Sequence, residues 1–238
     1  MKYTEQWKTR WHDTDAVGRV TPSHLLVYMQ ETSNGHTAST GLPLDELRRQ
    51  RGLAFILSRL RLRIHAPLHA FEEVTVNTWT TPSRGFASNR SFEILREGEM
   101  IAECDSSWAL VGIEDHSLHK PEEAAYDFVH GEPSPMDLPP RIRFPADAPL
   151  EEIGTRRIVY SDLDYNGHMN NTRYPNMLLD FLPREEALRA RGFVLSFLHE
   201  AAEGDVIRVL CAKEGENRYF RTVNEAGTVC LEALVVLE

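Results

Sequence analysis

Asp162, Asp164, Asn166, His168 and Asn170 stand at every second position of the stretch 160–180, YSDLDYNGHMNNTRYPNMLLD. Residues two apart in an extended segment point the same way, so a strand-like approach would aim this row at one face. The row holds an imidazole that can move a proton (His168), an amide that can polarise a carbonyl (Asn166) and a carboxylate that can orient both (Asp164). From Tyr174 onward the spacing becomes helical, with Met177, Leu178 and Phe181 completing an i, i+3, i+4, i+7 stripe. Asn170 is a good N-cap and Pro183 a stop, which predicts a helix over 171–182. Donors and a titratable ring are thereby delivered to the positive end of a helix, where a developing oxyanion is best stabilised.

Two other readings of the stretch are weighed against this one. Asp162-x-Asp164-x-Asn166-Gly167 matches the opening of a calcium loop, but the closing glutamate would fall at Arg173, whose charge repels the ion. Asx residues ahead of a helix also form plain turns and caps. That accounts for Asn170 and Asp162, and less well for Asn166 and His168.

The elements that must hold this row appear twice. HDTDAVGRVTPSHLLVYMQE (12–31) lies on SDLDYNGHMNNTRYPNMLLD (161–180) without a gap, at an offset of 149 residues. Asp13 meets Asp162, Asp15 meets Asp164, Gly18 meets Gly167, and Thr21 meets Asn170 as a second N-cap. Val17 replaces Asn166 and Arg19 replaces His168, so the first copy keeps a scaffold and drops the chemistry. A helix is predicted over 22–39, with Leu25, Leu26, Tyr28, Met29 and Thr32 on its apolar side and Gly41 ending it. Strands are predicted over 53–64, 73–80, 87–96 and 100–113. In the second copy a helical insert over 184–191 precedes strands at 193–200, 205–212, 217–224 and 228–237, with Gly98 and Gly227 in equivalent hairpin turns. One helix and a run of antiparallel strands, twice over, is an α+β pattern in which a sheet wraps its helix. The expected organisation is a first unit 1–117, a proline-rich linker 118–150 and a second unit 151–238.

Lys and Arg number 26 against 36 Asp and Glu, a net charge of −10 that argues against general nucleic-acid binding. No apolar run is long enough for a membrane span. Cys104, Cys211 and Cys230 sit in apolar runs without CxxC spacing, as buried free thiols of a reducing compartment would. The charged start leaves no room for a leader, so a cytoplasmic protein is expected. No metal or cofactor is called for. Trp11 and Trp79 are expected in the core, and the stripe Arg59, Arg61, Arg63 reads either as a solvated face or as a dock for an acidic partner.

The SDLDxNxHxNNxxY core, the doubled unit and the linker resemble the acyl-acyl carrier protein thioesterases of the double hot-dog fold. Tyr28-Met29-Gln30-Glu31, Pro67 with Thr78-Trp79, Trp108 and Pro183 extend the resemblance over nearly the whole chain. It implies a tandem hot-dog, two antiparallel sheets each wrapping a long central helix, that hydrolyses fatty acyl thioesters of acyl carrier protein. It places Asp164, Asn166 and His168 in the active site, with Glu200 of Leu198-His199-Glu200-Ala201-Ala202 as an acidic partner on the following strand. Plant members carry a Cys directly after that Glu; Ala201 stands here, which removes a thiol mechanism. The absent targeting extension makes the chain more like a bacterial member. On this reading Glu200, as a partly buried carboxylate of raised basicity, activates water, though a solvated edge carboxylate is the plain alternative. Asn166 and helix-start N–H groups hold the carbonyl oxygen, and His168 meets the water or the leaving sulfur. Direct attack by Asp164 stays open. The acyl chain is expected beside the first helix, at Leu25, Met29, Thr32 and Ser33. An acyl-CoA thioesterase, a non-hydrolysing acyl-binding protein and a hot-dog dehydratase are the rivals. Oligomeric state is left open, a homodimer being one option.

Overall fold

The computed structural model describes residues 2–126 and 128–238, apart from the side chains of Ser83 and Arg84. The expected boundaries 1–117 and 118–150 each include one residue outside that set, Met1 and Asp127. Two compact units emerge: Met1–Ser58 with Ile64–Met136, and Arg59–Arg63 with Asp137–Glu238.

The first unit contains β1 (Tyr3–Lys8), α1 (Pro22–Ser39), α2 (Leu44–Arg51), β2 (Leu53–Ile64), β3 (Glu73–Arg84), β4 (Ala87–Arg96), β5 (Glu99–Gly112) and β6 (Leu118–His119). Its strands run β1-β3-β4-β5-β2, with β6 on β5. Helix α1 starts as its sequence dictates: the Thr21 hydroxyl accepts the His24 N–H at 3.3 Å, and Pro22 opens the first turn. Leu25, Leu26, Tyr28, Met29 and Thr32 are buried. Burying apolar side chains of this size contributes roughly 1.5–3 kcal/mol each. Trp7 of β1 packs its ring on Tyr28, centroids 5.1 Å apart, and its indole donates to Thr32 Oγ1 at 2.9 Å.

The second unit contains β7 (Glu151–Arg157), α3 (Tyr174–Asp180), α4 (Arg184–Arg189), β8 (Ala190–Phe197), β9 (Val206–Glu214), β10 (Asn217–Val223) and β11 (Val229–Leu237). The strand order is β8-β11-β10-β9-β7, and the Arg59–Arg63 end of β2 pairs antiparallel with β8. Helix α3 buries Tyr174, Pro175, Met177 and Leu178, and the Tyr174 ring meets Phe197 of β8 edge-on at 5.3 Å.

Several expectations change. The predicted helix over 171–182 is a 3-10 turn, Asn171–Arg173, followed by the seven-residue α3. Asn170 binds Thr172 through both N–H and hydroxyl, which favours the tighter turn, and Pro175 enters at the start of α3. Strand β8 ends at Phe197, so Glu200 lies in the loop beyond it. Strand β7 and helix α2 are not among the expected elements. Trp79 is buried, its indole donating to the Glu132 carbonyl at 2.8 Å, but Trp11 is 66% exposed and stacks on Phe71 instead. Nor is the arginine stripe of β2 simply solvated. Arg61 donates to the Leu138 carbonyl at 2.8 Å, and Arg63 pairs with Asp137 and Glu238 at 3.0 and 2.6 Å. Both of these arginines are engaged in holding the 137–138 segment and the chain end.

Candidate active site

The residues 159–170 do not form a straight strand. A 3-10 turn over Tyr160–Asp162 is followed by a tight reversal closed by the Leu163–Met169 bridge. The Asp164 N–H donates to the His168 carbonyl at 2.9 Å, and the Gly167 N–H to the Asp164 carbonyl at 3.0 Å. Asp164 Oδ1 accepts the Asn166 backbone N–H at 2.8 Å. The turn needs a left-handed residue, and Gly167 supplies it at φ +80°. The alternation therefore does not put the polar row on one face. Asp162 is buried at the root, Asp164 organises the turn, Asn166 is exposed at its tip, and His168 emerges on the return.

The returning segment docks on the loop after β8. The Met169 N–H donates to the Ala201 carbonyl at 2.9 Å, and His168 bridges to Ala202. Asp205 fixes that loop by accepting the Ala202 N–H at 2.9 Å. This brings the His168 imidazole to Glu200, Nε2 to Oε2 3.2 Å, with the side chains 34% and 55% exposed. The expectation of a partly buried Glu200 is not met; a directed contact with His168 stands in its place. Glu200 Oε2 accepts from His168 Nε2–H, which leaves Nδ1 for another partner. The Asp164 carboxylate serves the turn, accepting the Asn166 N–H. At the root, Arg156 Nη2 donates to Asp162 Oδ1 at 2.6 Å, a contact not foreseen from the sequence. The signal was available, since Arg156 lies 149 residues after Trp7, in register with the repeat.

The arrangement can position an acid/base pair, His168 with Glu200, next to an exposed amide at Asn166. Cys104, Cys211 and Cys230 are buried and form no disulfide, and burial pushes Cys211 up to about 11 and raises Cys230 as well. Of the expected acyl-chain residues, Leu25, Met29 and Thr32 are buried in the first unit, and Ser33 is half-buried beside them on α1. Thr32 is already engaged by Trp7.

Helix-and-sheet units of this kind, doubled along the chain and carrying a polar loop ahead of the second helix, define a tandem hot-dog protein. Residues 1–128 match the acyl-ACP thioesterase N-terminal domain and residues 151–229 the acyl-ACP thioesterase C-terminal domain. The chain belongs to the acyl-ACP thioesterase family. It is 22% identical to the oleoyl-acyl carrier protein thioesterase 2 of Arabidopsis thaliana, over 91% of this chain and 64% of that one. Against the palmitoyl-acyl carrier protein thioesterase of Cuphea hookeriana the identity is 24%, over 90% and 55%. The chain thus spans between about half and two-thirds of the length of these curated relatives. The fold superposes on an acyl-ACP thioesterase from Bacteroides thetaiotaomicron with a TM-score of 0.89, at 24% identity, covering 100% of this chain and 98% of the other. The 12:0-ACP thioesterase from Umbellularia californica gives a TM-score of 0.86 at 18% identity, covering 100% and 97%. Among the described residues no helix is long and apolar enough to cross a membrane.

Proposed function

We propose that this protein hydrolyses fatty acyl thioesters of acyl carrier protein, releasing the free fatty acid and the carrier thiol, with Asn166, His168 and Glu200 as the reacting set. The observation that carries the reading is the 3.2 Å contact between His168 Nε2 and Glu200 Oε2, on a loop that also presents Asn166, in a member of this family. A thioester carbonyl is already electrophilic and its thiolate leaves readily, so the enzyme must chiefly place water, stabilise an oxyanion and move one proton.

Glu200 takes the proton as the water oxygen bonds to the acyl carbon. Its Oε2 holds the imidazole while Oε1 faces the water. The Asn166 amide donates to the oxygen that gains charge. Collapse of the tetrahedral species breaks the C–S bond, and the departing thiolate takes up the proton that Glu200 received from water. His168 holds that carboxyl in place and meets the water or the leaving sulfur. Asp164 acts by shaping the turn; its Oδ1 is committed to the Asn166 N–H, which favours the water route over direct attack by this carboxylate. The second unit (151–238) is the catalytic one. The first (1–117) houses the acyl chain along the α1 face of Leu25, Met29, Thr32 and Ser33, and 118–150 connects them. Three buried free thiols fit a reducing, cytoplasmic setting. The mechanism needs one chain, and a homodimer is a matter for light scattering.

The test is a matched panel of acyl carrier protein and acyl-CoA thioesters of several lengths, read by free thiol released. Hydrolysis with higher kcat/KM on the carrier series is the expected result. Preference for the CoA series would make the protein an acyl-CoA thioesterase, and tight binding without thiol release would make it an acyl-binding protein.

A further inference from the structure

The two copies hold the root of their loops differently. In the first, the Tyr28 hydroxyl of α1 donates to Asp13 Oδ2 at 2.5 Å, with Trp7 packed behind the phenol. In the second, the residue equivalent to Tyr28 is Met177 of α3, which has no hydroxyl to give. The residue equivalent to Trp7 is Arg156, and it reaches Asp162 instead. The equivalence does not rest on sequence alone. Trp7 lies opposite Val74 and Arg156 opposite Ile207, and those partners are separated by the same 133 residues as His69 and Ala202, which bridge the two loops. The closest clamp has moved from the helix to the edge strand, and a guanidinium at 2.6 Å takes the place of the phenol.

Asp162 is the joint of the whole loop. Its Oδ2 accepts the Val159 N–H at 3.1 Å, its carbonyl accepts the Asn170 N–H at 2.9 Å, and its Oδ1 accepts from Arg156 at 2.6 Å. One residue thus closes both ends of the segment that carries Asn166 and His168. Arg156 extends the tie to the end of α3, with Nη1 3.9 Å from Asp180 Oδ2. Its Nε is buried with no hydrogen-bond partner among the described residues. A buried donor left unsatisfied is unfavourable, so the contacts of the other two nitrogens, above all the one to Asp162, must offset that cost. The Asp162 contact is what the placement secures.

We infer that Arg156 is a positioning residue for the reacting set: through Asp162 it fixes the height and tilt at which the 163–169 turn presents Asn166 and His168 to Glu200. The inference rests on the reading of these residues as catalytic. In the first copy a helix-borne phenol holds the aspartate, with His24 Nε2 3.7 Å from its other oxygen; the second copy has a short ionic contact from the sheet instead.

Replacing Arg156 by Met should lower kcat about tenfold while leaving KM within about twofold, since misplacement of a reacting group by a fraction of an ångström costs rate before it costs binding. R156K should recover part of the loss. In R156M, the further change M177Y places a phenol where the first copy has Tyr28 and should also restore kcat. Independently of activity, amide hydrogen exchange at Asn170 and Gly167 should accelerate in R156M while β10 and β11 keep their protection. A folded R156M with wild-type kcat and unchanged exchange in the loop would overturn the inference, as would a loss shared equally by kcat and KM and not recovered by R156K. If R156M does not fold, D162N is read by the same two measurements with the same outcomes. A wild-type protein that releases no thiol from any substrate fails the functional reading instead; loop exchange then still decides whether Arg156 holds the turn.

Discussion

The loop ahead of α1 and the loop ahead of α3 are built from the same hydrogen bonds and differ in almost every residue that could react. The Asp15 N–H donates to the Arg19 carbonyl at 2.7 Å and the Gly18 N–H to the Asp15 carbonyl at 3.0 Å, as Asp164, His168 and Gly167 do in the second copy. Asp15 Oδ1 accepts the Val17 N–H at 2.9 Å, as Asp164 accepts that of Asn166. The Thr21 N–H donates to the Asp13 carbonyl, the Val20 N–H to the Leu68 carbonyl, and Glu72 caps the His69 N–H. Each has its counterpart at Asn170, Met169 and Asp205. On this frame Val17 stands for Asn166, Arg19 for His168 and Pro67 for Glu200. Arg19 turns back onto Asp15, 3.3 Å away, where His168 reaches out to Glu200. Aspartates that shape a loop are therefore separable from the groups proposed to react, because the first kind is present in both copies and the second in one.

The largest effects should come from changes that exist only in the second loop. Glu200→Ala and Asn166→Ala should each lower kcat by about 10²-fold or more with the fold intact, the scale of a lost acid/base or oxyanion group. Near-normal thiol release by folded Glu200→Ala would remove the carboxylate from the mechanism.

Next come changes to what the loops share. Gly167→Ala and Gly18→Ala place a side chain at φ +80° and +78° with no neighbouring atom in the way, so the cost is conformational, about 1 kcal/mol in each. Denaturant melts should show similar losses for the two, whereas the thiol-release assay should fall only for Gly167→Ala. Equal loss of activity would mean that the first loop also serves catalysis.

A smaller difference separates the units by pH. His36 on α1 faces Arg90, whose Nη1 lies 2.9 Å from its Nδ1, and stacks on Tyr3. Burial first, then the Arg90 charge, lowers its pKa to about 4. The unfolded ring near 6.5 binds more protons than the folded one, so the contribution of this site is present above that value and is lost as pH falls from about 6.5 towards 4. Stability of wild type against His36→Gln, followed across that window, should show a shallower fall in the variant; parallel curves would count against it.

Much of this comparison was legible in the sequence, and the parts that were not have physical reasons. The strands over 53–64 and 87–96 and the helix over 22–39 match β2, β4 and α1, because hydrophobic period, caps and breakers agree there. The second helix read too long, since its apolar stripe continues past the point where Asn170 and Pro175 tighten the first turn. The alternating polar row drew attention to the residues now proposed to react, but it implied a geometry that the structure does not have. Side-chain capping by Asp164 and the left-handed Gly167 fold the row into a turn, and periodicity carries no record of that. Glu200 was named by resemblance alone. Its contact with His168 depends on a loop docking that joins positions distant in the chain. Arg156 was within reach of the repeat alignment but lies upstream of the segment where the copies look alike.

The smallest effect expected is none. Replacement of Cys104, Cys211 and Cys230 by Ala should leave kcat/KM for thioester hydrolysis within about threefold, small beside the loss of a nucleophile. A folded cysteine-free protein without activity would return a thiol to the mechanism.

The division between a reacting loop and a scaffold loop meets its most direct test in one pair of variants assayed side by side. His168→Ala and Arg19→Ala occupy equivalent positions on equivalent frames. Thiol release from an acyl carrier protein substrate should fall by about 10²-fold or more in the first and stay within about threefold of wild type in the second. Equal losses in the two folded variants, or full activity in His168→Ala, would contradict the account.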